Sequence, residues 1–112
     1  MKENKKYIGV FDSGLGGLTV LKELKKSMPN ESFIYFGDTA HLPYGNKSKA
    51  SVVQYSLNIA NFLFAQQVKA IVVACNTASS VALETLNKKY SIPVLNVIDP
   101  SVFQAVSYSK SK

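Results

Sequence analysis

The sequence contains very little cysteine and no tryptophan. Among its 112 residues only Cys75 is a cysteine, so the chain cannot form an internal disulfide. A single thiol of this kind fits a reducing compartment. No stretch approaches the ~18 consecutive apolar residues of a membrane helix, and the amino terminus lacks the apolar segment of a secretion signal. We therefore expect a cytoplasmic protein that does not enter membranes.

Arginine is also absent. All 13 basic side chains are lysines, and the formal net charge is +6. Proteins that bind nucleic acids usually use arginine, whose planar guanidinium makes paired hydrogen bonds to guanine or phosphate. The lysines cluster near the two termini and on one polar helix face, which is typical of a solvated surface. We therefore expect no nucleic-acid partner.

Short apolar runs alternate with stretches of helical periodicity along the whole chain. The runs predict four strands, at Tyr7–Phe11, Ser32–Gly37, Ala70–Ala74 and Val94–Val97. The periodic stretches predict helices over Leu15–Met28, Ser48–Gln67 and Ala78–Lys89, with a last helix opening at Asp99 and Pro100. Continuous apolar strands imply burial on both faces. The sequence thus predicts an α/β fold, a three-layer sandwich with a mostly parallel sheet.

Polar residues follow each predicted strand, where an open parallel sheet binds its ligands. The residues that we expect to meet at this edge are Asp12, Ser13, Asp38, Thr39, His41, Tyr44, Gly45, Cys75, Asn76, Thr77 and Asp99. Position alone does not decide the role of Asp12 and Ser13, since either could simply cap the helix that follows.

Phosphate and metal sites are not indicated. There is no Walker loop, and Gly14 and Gly16 match only the start of a dinucleotide fingerprint, since Thr19 stands at its third glycine. A tight strand-to-helix turn with close backbone packing explains all three glycines of this segment and is the better interpretation of Gly16 and Gly17. One histidine and one cysteine cannot form a structural zinc site, and no carboxylate spacing suggests a hard-cation site. We expect His41 to be a surface or hydrogen-bonding residue of its loop.

Cys75 lies at the end of a predicted buried strand, just before a helix. Lone cysteines are commonly inert and buried. Here, however, the partial positive charge at the start of the helix stabilises an anionic sulfur, and Asn76 and Thr77 add polar contacts. The position indicates a thiol that acts as a base or a nucleophile. A Cys–His hydrolase that pairs Cys75 with His41 is the rival chemical interpretation.

Four motifs resemble the amino-terminal half of the glutamate racemases, in the aspartate/glutamate racemase family. They are "GVFDSGLGGLTV", "YFGDTAHLPYG", "VVACNTASS" and "PVLNVIDP", and they follow one another in order over nearly the whole chain. The resemblance implies interconversion of L- and D-glutamate for peptidoglycan synthesis without pyridoxal phosphate or metal. It also implies that Cys75 exchanges the α-proton and that Asp12 assists it near the substrate ammonium. The positions that it implies for substrate binding are Asp12, Ser13, Pro43, Tyr44, Gly45, Asn76 and Thr77.

Racemases that these motifs resemble have two similar α/β halves, and the second half carries another cysteine. The sequence therefore predicts a first domain over residues 1–97 and the start of a truncated second domain over 98–112, so that the chain alone is inactive. The alternative from another class is a non-catalytic binding module of the same fold. The broad apolar face of the Ser48–Gln67 helix favours a homo-oligomer.

Overall fold

Strands and helices alternate along the chain, as the sequence predicts. The computed structural model describes residues 6–12, 17–41 and 44–96. The strands are β1 (Tyr7–Asp12), β2 (Phe33–Gly37), β3 (Val68–Val73) and β4 (Val94–Asn96). The helices are α1 (Gly17–Ser27), α2 (Lys49–Ala65) and α3 (Asn76–Lys89), and the segment before α2 forms two short 3-10 helices, Thr39–His41 and Tyr44–Asn46.

The four strands form one parallel sheet in the order β2-β1-β3-β4. From β1 the chain crosses to β2 on one side of the sheet, and it then returns to place β3 on the other side. The carboxyl ends of β1 and β3 therefore flank the point where the direction of winding reverses. Open α/β sheets bind their ligands in the crevice at such a switch point.

Helices cover both faces of the sheet, which confirms the three-layer α/β prediction. On one face Ile8 and Val10 of β1 pack with Leu24 of α1. On the other face Phe11 and its neighbours on β3 pack against α2 and α3. Strand side chains alternate between the two faces, so a strand covered on both sides must be apolar throughout.

Gly9 of β1 lies beneath α2, where the helix approaches the sheet closely. A Cβ atom built on Gly9 would lie 3.2 Å from a methyl carbon of Leu63 and 3.3 Å from one of Val68. A side chain at this position would push α2 outward, so the glycine permits the observed packing.

Several boundaries differ from the sequence prediction, and those of α2 and β3 have a visible cause. Helix α2 begins at Lys49 because the Ser48 Oγ accepts a hydrogen bond from the Ser51 amide and caps it. It ends at Ala65, and Gln67 adopts a left-handed conformation with φ 64°. Strand β3 begins at Val68 instead of Ala70. Its charged residue, Lys69, is accommodated by an ion pair with Glu31 at 2.7 Å.

The broad apolar face of α2 is largely explained within the domain, because α2 packs against both the sheet and α3. Phe62 and Phe64 of this helix stay 46% and 43% exposed. Self-association through this face stays a prediction. In the portion of the chain that the structure describes, no helix is long and apolar enough to cross a membrane.

Some predictions concern residues outside the described ranges. These are the roles of Ser13 and Pro43, the last helix from Asp99, the domain boundary after residue 97, and the truncated second domain over 98–112.

Candidate functional site

Cys75 caps the amino terminus of α3. Its backbone is extended (φ −99°, ψ 124°), and its Sγ accepts a hydrogen bond from the Ala78 amide at 3.5 Å. The side chain is buried, with 8% exposure. The helix starts at Asn76, two residues before the predicted start at Ala78. The sulfur acts as the N-cap acceptor, a role that a side-chain oxygen usually has. The thiol therefore accepts a hydrogen bond from one of the first amides of α3, which have no partner within a helix.

Asp12 ends β1 beside the end of β3. Phe11 pairs with Val73, and the Ala74 amide donates a hydrogen bond of 2.7 Å to the Phe11 carbonyl. Asp12 is the last residue of β1, and Cys75 lies two residues beyond the end of β3, so both residues lie at the switch point. Asp12 is only 6% exposed. Its negative charge contributes, after burial, to raising the pKa of Tyr35 on the neighbouring strand.

Tyr44 brings its ring into the same cluster. The side chain is 2% exposed, its ring centroid lies 6.3 Å from that of Phe11, and it shares a core cluster with Cys75 and Ala78. Its pKa is raised far above the ordinary value of 10.0, first by burial, then by its hydrogen bond to Asp38 and the Asp38 charge, and further by Cys75. The hydroxyl therefore keeps its proton and acts as a donor.

The Asp38 carboxylate accepts hydrogen bonds from Tyr44 and His41. The Tyr44 hydroxyl donates to Asp38 Oδ2 at 2.6 Å, and His41 Nδ1 donates to the two carboxylate oxygens at 2.9 and 2.8 Å. The His41 ring stacks on Tyr55 with centroids 3.8 Å apart. Asp38 was among the polar residues expected at the strand ends, but its hydrogen bond with Tyr44 was not predicted.

The structure places Tyr44 and Cys75 in one core cluster, and Asp12 at the end of β1, the strand that pairs with β3. Thr77 lies in the first turn of α3, whose first residue is Asn76. Gly45 has open space around it, since an added Cβ would meet no atom within 4 Å. His41 is hydrogen-bonded to Asp38 and stacked on Tyr55, as expected of a hydrogen-bonding loop residue. Between these two described residues, His41 and Cys75, the pairing that a Cys–His hydrolase needs does not form.

A metal site does not form among the described residues, where no three His, Cys, Asp or Glu side chains come close enough to share an ion. What the site offers chemically is a thiol at the start of α3 and a carboxylate at the end of the adjoining strand β1. This pair can exchange a proton with a bound ligand, or attack it as a nucleophile.

Fold and site thus define an α/β domain with a thiol and a carboxylate at the switch point of its parallel sheet. The profile of the Asp/Glu/Hydantoin racemase family matches residues 8–111. This chain belongs to that family.

Relatives and solved structures agree with this assignment. The chain is 57% identical over 106 residues to the glutamate racemase of Geobacter metallireducens, covering 95% of this chain and 39% of that protein. It superposes on the glutamate racemase of Thermus thermophilus in complex with β-chloro-D-alanine with a TM-score of 0.81, at 58% identity, over 89% of this chain and 39% of the other. The glutamate racemase of Francisella tularensis in complex with D-glutamate gives 0.81 at 47% identity, over 91% and 39%. The matched region is the amino-terminal part of these proteins.

Proposed function

We propose that this chain is the amino-terminal half of a glutamate racemase and that Cys75 is its acid–base group on one face of the α-carbon. The observation that carries the proposal is the Cys75 sulfur, which caps α3 at the switch point of the sheet, where β1 ends in the buried Asp12. The family match and the glutamate racemase relatives support the same reading. The product, D-glutamate, would enter peptidoglycan synthesis in the cytoplasm.

The reaction requires a strong preorganised field. The α-proton of an amino acid is a very weak acid, so the negative charge that develops as it leaves must meet fixed dipoles. The amides at the start of α3 provide such dipoles at the sulfur. In this proposal the thiolate of Cys75 removes the α-proton, or the thiol returns it, and Asp12 assists next to the substrate ammonium.

Substrate binding would fall to the groups around this pair. With no arginine in the chain, a substrate carboxylate would be held by backbone amides, hydroxyls and side-chain amides. The residues proposed for this role are Ser13, Pro43, Tyr44, Gly45, Asn76 and Thr77.

Racemisation needs one proton-exchanging group on each face of the α-carbon. This chain supplies one cysteine, so we propose that a second half supplies the other group and that the chain alone is inactive. The test is a hybrid racemase, in which this chain replaces the matching amino-terminal segment of the Geobacter metallireducens enzyme. We expect the hybrid to interconvert the glutamate enantiomers without added cofactor. The reaction is monitored through the circular dichroism of glutamate.

Variants of the hybrid racemase test the role of Cys75. Cys75→Ala should abolish turnover. Cys75→Ser should reduce it by about 10²- to 10⁴-fold, the usual contribution of a positioned acid or base, because a hydroxyl is a far weaker acid than a thiol. Ser80→Ala changes an exposed hydroxyl on the same helix and should leave turnover unchanged. A folded hybrid with Cys75 intact and no racemisation would contradict the proposal.

The isolated chain allows a separate test by proton–deuterium exchange. We expect no exchange into either glutamate enantiomer, because we propose that the second half is needed to close the pocket. Exchange into D-glutamate alone would instead show a working half-site, since the resemblance implies that this cysteine faces the D-enantiomer. A covalent acyl group on Cys75, detected by mass spectrometry, would favour the hydrolase. Glutamate binding by a folded, inactive hybrid would favour the non-catalytic module.

A further inference from the structure

We propose that Asp38 is a positioning residue that holds the Tyr44–Asn46 3-10 helix against the site and so sets the affinity for glutamate. The inference rests on the proposed function, which gives this segment a role in substrate binding. Asp38 touches no reacting group in the proposal; it would act through Tyr44.

The Asp38 backbone is tied to the end of β1. The Asp38 amide donates a hydrogen bond of 2.8 Å to the Asp12 carbonyl, and Asp12 pairs with Gly37 in the parallel register. The residue is 7% exposed. Its carboxylate therefore has a fixed position relative to Asp12, which lies on a strand of the rigid sheet.

The same carboxylate holds Tyr44. The hydroxyl reaches Oδ2 at 2.6 Å, a length typical of a hydrogen bond to an ionised acceptor. The Tyr44 ring lies between Phe11 of β1, at 6.3 Å, and Tyr55 of α2, at 5.7 Å. Because its ring is enclosed and its hydroxyl is hydrogen-bonded, Tyr44 fixes the position of its own backbone and of the adjoining residue, Gly45.

His41 occupies the other side of the carboxylate. It donates to both oxygens and stacks on Tyr55 with an interplanar angle of 16°. Its side chain is 41% exposed, whereas that of Asp38 is 8% exposed. The histidine therefore lies between the buried carboxylate and solvent. The loop between β2 and α2 is thus fastened at one point to both β1 and α2.

A merely structural role for Asp38 makes a different prediction from a positioning role. If Asp38 only stabilised the fold, its loss would lower the melting temperature and the amount of active enzyme, with KM unchanged. If it positions Tyr44, then an oxygen acceptor at residue 38 is what matters. Asn keeps an oxygen that can accept from the Tyr44 hydroxyl, and Ala does not.

The test uses the hybrid racemase with Asp38→Asn, Asp38→Ala, Tyr44→Phe and the double variant Asp38→Ala/Tyr44→Phe. Asp38→Ala should raise KM for both enantiomers by about 10- to 100-fold, the range set by a lost hydrogen bond to a charged group, with a smaller change in kcat. Asp38→Asn should keep KM close to that of the parent. The double variant should be no worse than Asp38→Ala, because both changes remove the same contact.

Asn58→Ala is the matched control. Asn58 and Asp38 line the same cavity of about 330 Å³ on the α2 side, but the Asn58 side chain accepts a hydrogen bond from Gln54. We expect its KM to equal that of the parent. Equal KM values for Asp38→Ala and the parent, or an equal rise of KM in Asp38→Asn and Asp38→Ala, would overturn the positioning role.

Failure of the proposed function can be distinguished from failure of this inference, because in the first case the parent hybrid itself would not racemise glutamate.

Nuclear magnetic resonance of the isolated chain provides a readout that does not depend on activity. Asp38→Ala, unlike Asp38→Asn, should shift the backbone amide resonances of Tyr44, Gly45 and Asn46 while leaving those of β3 in place. Unshifted resonances in Asp38→Ala would overturn the inference even if the hybrid did not fold.

Discussion

Removal of the Tyr44 hydroxyl should destabilise the protein by a defined amount. Tyr44→Phe keeps the ring packed against Phe11 and Tyr55 and removes only the donor that lies 2.6 Å from Asp38. A hydrogen bond to a charged group contributes about 1.5–3 kcal/mol. We expect a loss near the lower end, because His41 keeps the carboxylate partly paired. Against a total stability of about 5–15 kcal/mol for a typical domain, this loss is readily measured.

The same variant predicts a pH dependence with a fixed sign. The pKa of folded Tyr44 is raised above its ordinary value of 10.0 by burial and by Asp38. In the unfolded chain this tyrosine titrates near its ordinary value, so above about pH 10 the unfolded state binds fewer protons than the folded one. Stability is fully present below this pH and falls as the pH rises. The advantage of the parent over Tyr44→Phe should shrink by about 1 kcal/mol between about pH 10 and pH 11.

Urea unfolding followed by far-ultraviolet circular dichroism from about pH 8 to about pH 11 measures this difference. Tyr35 and Tyr90 also have raised pKa values, for which burial is the main cause, but they are present in both proteins and cancel. Gly9→Ala is the control, because it changes packing without changing a titrating group, so its difference from the parent should not vary with pH. If the curves of the parent and Tyr44→Phe stay parallel throughout, the reasoning about the buried hydroxyl is wrong.

Two further substitutions test the packing that positions the site. Gly9→Ala should cost about 1–3 kcal/mol in urea unfolding, because the new methyl would lie 3.2 Å from Leu63; an unchanged stability would mean that α2 moves away freely. Asn87→Ala should cost about 1–3 kcal/mol, because the Asn87 side chain donates to the Val94 carbonyl at 2.9 Å and accepts from its amide at 3.1 Å. Gln54→Ala, which removes an exposed amide contact within one helix, should cost no more than about 0.5 kcal/mol, and an equal loss in both would contradict the role given to Asn87.

Much of the fold could be predicted because each strand is a continuous apolar run. Such runs occur where helices cover both faces of a sheet, so the parallel α/β sandwich followed directly. The strand order could not be read from the runs, since every crossover looks alike in sequence. The predicted start of β3, Ala70, excluded Lys69. The ion pair that accommodates this lysine in the strand involves Glu31, which is far away in the chain.

The candidate site was predictable as a set of strand ends but less so as a set of contacts. The polar residues after β1 and β3 marked Asp12 and Cys75, and their neighbouring strands bring them to the same edge. That Cys75 would cap α3 was not predicted, because Asn76 and Thr77 are poor helix formers and appeared to precede the helix. The link between Asp38 and Tyr44 depends on the burial of the Tyr44 ring in the core, which no local pattern encodes.

The strand ends of the site are fixed by the core of the sheet more rigidly than the segment that carries Tyr44. Asp12 and Cys75 follow strands whose core residues, such as Phe11 and Ile71, are fully buried, so a local change should not move one without the other. Tyr44 lies in a short 3-10 helix between β2 and α2; its ring is buried, but its hydroxyl is held by a single carboxylate. In the proposed reaction, proton exchange uses the strand ends and substrate binding uses the loop. Damage to the loop should therefore appear first in KM, and damage to the β1–β3 contact should appear first in kcat, since preorganised groups at the reacting atoms determine the chemical step.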